Sequence, residues 1–429
     1  MIRSNVVATI LFTAELGQGL GHVGRLLPIA RELAAHGHRP VFAVREVPVA
    51  ARFLQDTGFP ILQAPCWQLP PWRGERPFVA ATYADLLARH GYDDESCLSS
   101  MVNAWEELIR LIDPQLIVAD HSPTVCLAAG ERVPVVLVGD GFTIPPVHTS
   151  EYAMLAPAQP LVDAEHLLHT IQSVQRRRRR SVPTSLQAAF PSAARFLVTF
   201  RELDPYRHVR QEPFIGPMDA WNQPDESTNQ KRVFAYLDGR FAGLEQVLSA
   251  FVRAGIECQA YLRNSNAEQA AGMRRLGVLI HANPVSLSTV LPEVSAIVHH
   301  GGLNTATAAL AAGRPQLLLP RYLEQDLNAA ALTELGVGRV LGGRQTLTSI
   351  GQMLGDLCSD PVMASRACGM ANELFQRGSS GSLTRIVRDC LRAIESPPTE
   401  SQMSDSLCGP GTDLKHSCTT PRLVKEALL

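Results

Sequence analysis

Short apolar runs alternate along the chain with longer segments in which apolar residues recur at helical spacing. In the first half these runs predict β-strands at residues 6–13, 39–44, 116–119 and 135–138, with a helix at residues 24–36. A second series predicts strands at residues 232–237, 257–262, 278–281, 296–299 and 316–319, and helices at 243–253 and 305–312. Such alternation is typical of parallel strands joined by right-handed crossover helices. The sequence therefore predicts an α/β fold.

The two series predict two consecutive Rossmann-like, doubly wound domains. Residues 217–230 are rich in Pro, Asn, Gln and Ser, a composition typical of a linker, which gives an N-terminal domain at residues 1–216 and a C-terminal domain at residues 231–395. Residues 396–429 are polar without an apolar period and predict a disordered tail. Two such domains leave a cleft between the carboxyl ends of their strands, where we expect a ligand.

Composition narrows the class of protein. The 429 residues are 45% hydrophobic and 19% charged, as in a soluble globular chain rather than a disordered or fibrous one. The formal charge is −2, so nucleic acid is not an expected partner. No apolar stretch is long enough to span a bilayer, and the nine scattered cysteines indicate reduced thiols in the cytoplasm. The arginine run from Arg176 to Arg180 indicates a solvated helix face, with peripheral contact to an anionic membrane as the alternative.

A glycine-rich turn follows the first predicted strand, where residues 17–24 read GQGLGHVG. Backbone without side chains can approach a ligand closely, and the next helix offers free N–H groups. His22 lies in this turn, and a neutral imidazole can take a proton from a hydroxyl when a carboxylate orients it. Asp120, at the carboxyl end of a predicted strand in the same domain, can supply that carboxylate. Asp140 and His121 are alternatives that the sequence leaves open.

The same turn has a second interpretation. Gly19, Gly21 and Gly24 spell G-x-G-x-x-G, and Glu46 follows about 20 residues later, as in a dinucleotide site. An NAD(P)-dependent oxidoreductase is therefore the alternative enzyme. A purely structural glycine turn is also compatible with the pattern.

The second half carries the stronger motif. A predicted buried strand runs into two histidines and two glycines before a helix begins, which brings an imidazole, free amides and a hydroxyl to one point and suits a pyrophosphate. The residues concerned are His300, Gly301, Gly302, Asn304 and Thr305. Further on, Glu324 and Gln325 open another helix, and a carboxylate beside an amide can hydrogen-bond vicinal hydroxyls.

These motifs resemble one known family. The run HHGGLNTATAALAAGRPQLLLPRYLEQDLNAAALTELGVG at residues 299–338 is similar to the donor-binding region of nucleotide-sugar glycosyltransferases with the two-domain GT-B fold. The opening GLGHVGRLLPIARELAAHGH at residues 19–38 is similar to the start of the same enzymes. The resemblance points in particular to the bacterial macrolide and antibiotic glycosyltransferases related to UDP-glucuronosyltransferases.

The resemblance implies an inverting, metal-independent transfer of a sugar from a UDP- or TDP-sugar to a hydroxyl of a small lipophilic acceptor. It implies that His22 is the catalytic base and Asp120 its carboxylate partner. The diphosphate would lie at His300 with Gly302, Asn304 and Thr305, and the sugar hydroxyls at Glu324 and Gln325. No cofactor is implied besides the nucleotide sugar, and the sequence contains no D-x-D metal motif.

The remaining features of the sequence concern the acceptor site, Asp238 and a non-catalytic alternative. Trp67, Trp72 and Phe78 are candidates to line the acceptor site. Asp238 and Gly239 stand where many relatives of the resembled family carry Gly-Ser or Gly-Thr, and the sequence assigns Asp238 no role. A non-catalytic nucleotide-sugar-binding partner protein would keep the second motif and require an inert first half.

Overall fold

A computed structural model of the protein describes residues 7–17, 20–69, 78–218, 231–342, 346–378 and 381–395. The predictions for Gly19, Trp72, most of the 217–230 linker and the 396–429 tail lie outside these ranges.

The first domain is built on a sheet of six parallel strands in the order β3-β2-β1-β4-β5-β6. The strands are β1 Thr9–Ala14, β2 Arg39–Val44, β3 Ile61–Gln63, β4 Leu116–Ala119, β5 Val135–Gly139 and β6 Ala194–Leu197. The helices are α1 Leu20–Ala35, α2 Val47–Leu54, α3 Tyr83–Leu87, α4 Glu95–Ile112, α5 Pro123–Ala129 and α6 Ala164–Arg177. A π-helical turn, Ala88–Tyr92, and two 3₁₀ turns, Gln187–Ala189 and Arg201–Leu203, complete the domain.

The second sheet repeats this arrangement with the order β12-β11-β10-β7-β8-β9, again all parallel. Its strands are β7 Arg232–Asp238, β8 Glu257–Arg263, β9 Leu279–His281, β10 Ala296–His299, β11 Gln316–Leu318 and β12 Gly338–Val340. Its helices are α7 Leu244–Arg253, α8 Ala267–Arg275, α9 Leu287–Val290, α10 Leu303–Ala311, α11 Leu323–Glu334, α12 Leu347–Ser359 and α13 Pro361–Arg377, with a 3₁₀ turn at Leu291–Glu293.

The predicted α/β class is confirmed. Strands β2, β4 and β10 have the predicted bounds, because β4 and β10 are buried throughout and β2 is buried over most of its length. The short strand β3 is partly exposed and β12 ranges from buried to exposed, so neither forms an apolar run from which a strand could have been predicted.

The last described helix, α14 Ser382–Glu395, follows the second domain in the chain but packs against the first. Ile386, Val387 and Cys390 are buried in one apolar cluster with residues of β1 and α1. The sequence alone assigns these residues to the C-terminal domain, because they follow that domain in the chain.

Both sheets change winding direction between their first and fourth strands, at β1–β4 and at β7–β10. Such switch points open crevices at the carboxyl ends of the strands, which is where α/β proteins bind ligands. The predicted motifs lie at these two points. Within the described ranges, no helix combines the length and hydropathy needed to cross a bilayer.

Candidate active site

His22 lies in the first turn of α1, beside the carboxyl end of β1. Its Nδ1 is 3.1 Å from Oδ1 of Asp120, which directly follows β4, and Asp120 is fully buried while 14% of the His22 side chain is exposed. A Cβ at Gly17 would stand 2.1 Å from Cδ2 of His22, so the turn needs glycine there to leave room for the ring. The structure thus brings together the two residues predicted as base and partner.

Asp120 has a second cationic partner that the sequence did not indicate. Arg25 donates from Nη1 to Oδ2 of Asp120 and from Nη2 to Oδ2 of Asp140, both at 2.8 Å. Asp140 is therefore tied to Arg25, while His121 has its ring centre 6.1 Å from that of His22. His22 and Arg25 are three residues apart on one helix and share a face, which was the one available signal for Arg25.

The electrostatics of this group favour a charged Asp120. Burial alone would raise its pKa, but Arg25 and His22 outweigh burial and lower the pKa below the ordinary value. For His22, burial lowers the pKa, and the charge and hydrogen bond of Asp120 more than offset this, so the pKa is raised above 6.5. A histidine beside a permanent carboxylate can accept a proton and hold it.

In the second domain, His300 follows β10 and joins three strand ends. Its Nδ1 is 2.8 Å from the carbonyl oxygen of Leu319, and its Nε2 accepts from the backbone N–H of Asp238 at 3.0 Å. Both ring nitrogens are thus engaged by the backbone. Burial lowers the pKa of His300, so the ring is neutral at neutral pH.

The glycines after His300 shape the next turn. Gly301 has φ +86°, and a Cβ there would lie 2.9 Å from the carbonyl oxygen of Gln325. Gly302 is the N-cap of α10, whose first residues include Asn304 and the buried Thr305. The amide N–H groups of this helix start have no intrahelical acceptors, which suits an anion.

Glu324 and Gln325 lie in the first turn of α11. Gln325 is buried and accepts from the backbone N–H of Arg321 at 2.9 Å. Burial and the neighbouring Asp140 raise the pKa of Glu324 to about 7, against the opposing effect of His22 and Arg25. Glu324 therefore lies within electrostatic reach of the charged group of the first domain.

A short distance between the glycine-rich turn and α10 supports the same arrangement of the two domains. A Cβ at Gly21, in the first turn of α1, would stand 3.9 Å from Nδ2 of Asn304 on α10. The glycine-rich turn and the start of α10 thus lie close together across one cleft.

Asp238, at the carboxyl end of β7, gathers three arginines that the sequence did not single out. Its side chain is 1% exposed and lies 3.2 Å from Nε of Arg240, 3.4 Å from Nη2 of Arg263 and 3.2 Å from Nη1 of Arg321. Three guanidinium groups around one carboxylate leave a net positive charge beside His300. Arg240 follows Asp238 by two residues, but Arg263 and Arg321 come from distant parts of the chain, so no local pattern could have shown these two. We call the three arginines the Asp238 arginine cluster.

Two further predictions concern the aromatic residues of the acceptor site and the arginine run. Trp67 is exposed, and the ring of Phe78 lies 6.0 Å from the Arg89 guanidinium. In the arginine run, α6 ends at Arg177, so the run is not one continuous helix face.

Several arginines of this run are paired with carboxylates. Arg177 pairs with Glu95 at 2.8 Å, and both Arg178 and Arg180 pair with Glu106. This pairing weakens the case for a membrane-binding patch.

Comparison with known proteins agrees with this geometry. Residues 259–391 match the C-terminal domain of the erythromycin biosynthesis protein CIII-like family. The solved calicheamicin glycosyltransferase CalG4 superposes with a TM-score of 0.67 at 20% identity, covering 91% of this chain and 100% of that one. The chain has the GT-B fold. The GT-B structure of VinC in complex with DTDP also superposes, with a TM-score of 0.58 at 20% identity over 90% of this chain and 100% of that one.

Sequence relatives match over shorter regions. The elloramycin glycosyltransferase of Streptomyces olivaceus is 39% identical over 127 residues, 29% of this chain and 31% of that protein. The vancomycin aglycone glucosyltransferase of Amycolatopsis orientalis is 30% identical over 197 residues, 40% and 47% of the two chains. The matched region thus spans less than half of either relative. The predicted resemblance of this GT-B chain to bacterial antibiotic glycosyltransferases is confirmed.

The oxidoreductase alternative gains no support from these relatives. At Gly24 a Cβ would meet nothing closer than Cζ of Phe53 at 3.8 Å, so no close approach requires glycine there. Glu46 is the N-cap residue of α2 in the GT-B fold.

Proposed function

We propose that this protein is an inverting glycosyltransferase that moves a sugar from a nucleoside diphosphate to a hydroxyl of a small acceptor. The observation that carries the proposal is the pairing of His22 with the buried Asp120 at 3.1 Å, within electrostatic reach of Glu324 on α11. The confirmed likeness to antibiotic glycosyltransferases supports the same conclusion.

The proposed step is a single displacement. With Nδ1 of His22 directed at Asp120, its Nε2 is left to take the proton of the acceptor hydroxyl. The acceptor oxygen then forms a bond to the anomeric carbon while the bond from that carbon to the diphosphate oxygen breaks. The bonding electrons leave with the diphosphate. Attack opposite the leaving group inverts the anomeric centre.

Negative charge builds on the leaving diphosphate, and the second domain is suited to meet it. We propose that the amides of Gly301 and Gly302, Asn304, the hydroxyl of Thr305 and the Asp238 arginine cluster receive the diphosphate. His300 then acts by holding Asp238 and Leu319 in place. Arginine donates in a planar fork that matches phosphate oxygens, so this charge can do without a metal ion.

The donor sugar would lie at α11. Glu324 and Gln325 start this helix, and Glu324 is close enough to His22 to raise its pKa, so hydroxyls bound there would place the anomeric carbon near the base. The nucleobase and the sugar are not specified by these contacts. We further propose a cytoplasmic site of action, since the cysteines of the described residues are free thiols.

The test is a donor screen that measures nucleoside diphosphate release with and without lipophilic hydroxyl compounds. We expect His22→Ala to lower transfer by about 10² to 10⁴ while donor affinity, measured calorimetrically, is kept. His169→Ala, on the exposed face of α6, is the matched control and should leave transfer unchanged. Full transfer by His22→Ala would refute the base, and donor binding without transfer by the wild type would favour the non-catalytic alternative.

A further inference from the structure

Arg25 lies on α1 and connects two strand ends of the first sheet. Its Nη1 donates to Oδ2 of Asp120, which follows β4, and its Nη2 donates to Oδ2 of Asp140, which follows β5, both at 2.8 Å. The guanidinium and both carboxylates are buried. A planar guanidinium whose two nitrogens are held by two different carboxylates has little freedom to turn.

The far end of this link is fixed by its own turn. Oδ1 of Asp140 accepts from the backbone N–H of Thr143 at 3.0 Å, and the backbone N–H of Asp140 donates to the Thr143 hydroxyl at 3.0 Å. The main chain after β5 thus holds Asp140 through contacts in which Arg25 takes no part. Arg25 therefore reaches Asp120 from an anchored position.

The Asp120 carboxylate is held from two directions. Among the described residues, only His22 and Arg25 lie within ion-pair distance of it, His22 at Oδ1 and Arg25 at Oδ2. A carboxylate can rotate about its side-chain bonds, so the contact on Oδ2 decides where Oδ1 points. Arg25 thus holds the oxygen that lies beside Nδ1 of His22.

The guanidinium also brings a permanent positive charge to this pair, since arginine stays protonated in proteins. Burial raises the pKa of Asp120, and Arg25 opposes burial and lowers it. Burial lowers the pKa of His22, Asp120 raises it, and Arg25 again acts to lower it. Wherever on the pair an added proton resides, the charge of Arg25 opposes it.

Three other ionisable groups surround the pair. Asp140 is tied to Arg25, and His121 is neutral because burial lowers its pKa to about 3. Glu324, on α11, acts on His22 from the second domain and favours its protonated form. Burial raises the pKa of Glu324 to about 7, so this group titrates in the same range as His22.

We propose that Arg25 is a positioning residue of the transfer reaction, which aims Asp120 at His22 and, through its charge, limits how tightly the pair holds a proton. A general base works best when it is unprotonated at the working pH and still accepts a proton in the transition state. This inference rests on the proposed function, because it concerns the base of the same site.

The test separates the charge of Arg25 from its planar fork. Arg25→Gln removes the charge and keeps an amide donor, whereas Arg25→Lys keeps the charge and removes the fork. The pKa of His22 is measured by NMR titration of the histidine rings in the full chain, with His22→Ala to assign the signal. We expect Arg25→Gln to raise this pKa by about one pH unit, because a neighbouring charge acts on that scale, and Arg25→Lys to leave it near the wild-type value.

Kinetics test the positioning. In Arg25→Gln the acidic limb of the kcat/KM profile should move to higher pH. In Arg25→Lys the limb should stay, but kcat should fall about tenfold or more with the donor KM unchanged, because the aim of Asp120 is lost and donor contacts are not. Since Glu324 titrates in the same range, the NMR comparison is repeated in a Glu324→Gln background, where the rise caused by Arg25→Gln should persist.

Arg31→Gln is the matched control, because it removes an exposed arginine from the same helix and should change neither the titration nor kcat. Thermal melting shows whether each variant is folded, and Arg25→Met takes the place of Arg25→Gln if that variant is not. An unchanged or lowered pKa of His22 in the neutral variant, or wild-type kcat in Arg25→Lys, would overturn the inference. Since the titration is read without turnover, absence of transfer by the wild type would count against the proposed function alone.

Discussion

Single residues set the chemistry of the first domain through direct contacts. Asp120 receives His22 on one oxygen and Arg25 on the other, and Arg25 continues to Asp140. A buried carboxylate with two such partners stays ionised, and its position is fixed from both sides. The proposed base is therefore oriented by residues that do not touch the substrate.

Gly17 offers a test of this orientation. We expect Gly17→Ala to lower transfer by about 10² or more, because its Cβ would overlap the His22 ring and small displacements of a catalytic group cost rate on this scale. Steady-state kinetics would measure the loss. Gly24→Ala is the matched control, since a Cβ there meets nothing closer than 3.8 Å and activity should be retained. Equal activity of the two variants would show that the ring is not held where the structure places it.

At the scale of elements, α14 connects the end of the described chain to the first domain. Its buried residues complete the apolar layer between α1 and the first sheet. The second domain is therefore tethered to the first at both of its ends, by the 217–230 linker and by the segment before α14.

This packing predicts where a core substitution acts. Ile386→Ala should lower the free energy of unfolding by about 2 to 5 kcal/mol, because a fully buried side chain leaves a cavity. Hydrogen exchange should report the loss of protection in α1 and β1. Leu357→Ala, in the core of the second domain, is the control and should act on that domain. If Ile386→Ala instead loosened β7 to β12, α14 would not belong with the first domain's core.

For the whole molecule, the decisive feature is that ionisable groups from the two domains come close enough to affect each other's pKa. Glu324 raises the pKa of His22, and His22 in turn lowers that of Glu324. Further ion pairs cross between the domains, from Arg207 to Glu334 and from Arg377 to Glu202. Domain orientation therefore enters the titration of the base.

Glu324→Gln tests this coupling. A negative Glu324 favours protonated His22, so its removal should lower the pKa of His22 and move the acidic limb of the kcat/KM profile to lower pH. Overall transfer should also fall, because sugar contacts are lost. Asp326→Asn, on the exposed side of the same helix turn, should leave the limb in place. An unmoved limb in Glu324→Gln would mean that the domains do not face each other in this way in solution.

The sequence determined the fold class and most of the site because both depend on local patterns. Buried parallel strands form continuous apolar runs, and the two motifs combine a strand end, glycines and a histidine within a few residues. The pairing of His22 with Asp120 could also be predicted, since parallel strand ends meet at one edge of a sheet. The predicted roles of these residues stay predictions until transfer is measured.

Only the tertiary structure decided the partners that come from distant segments. In the sequence, Arg25 is one residue of an amphipathic helix. Only the folded structure shows that it pairs with Asp120 and Asp140. The pairing of Asp238 with Arg263 and Arg321 and the placement of α14 depend on contacts between segments far apart in the chain. Charge compensation and burial are properties of the folded arrangement, and no local sequence period encodes them.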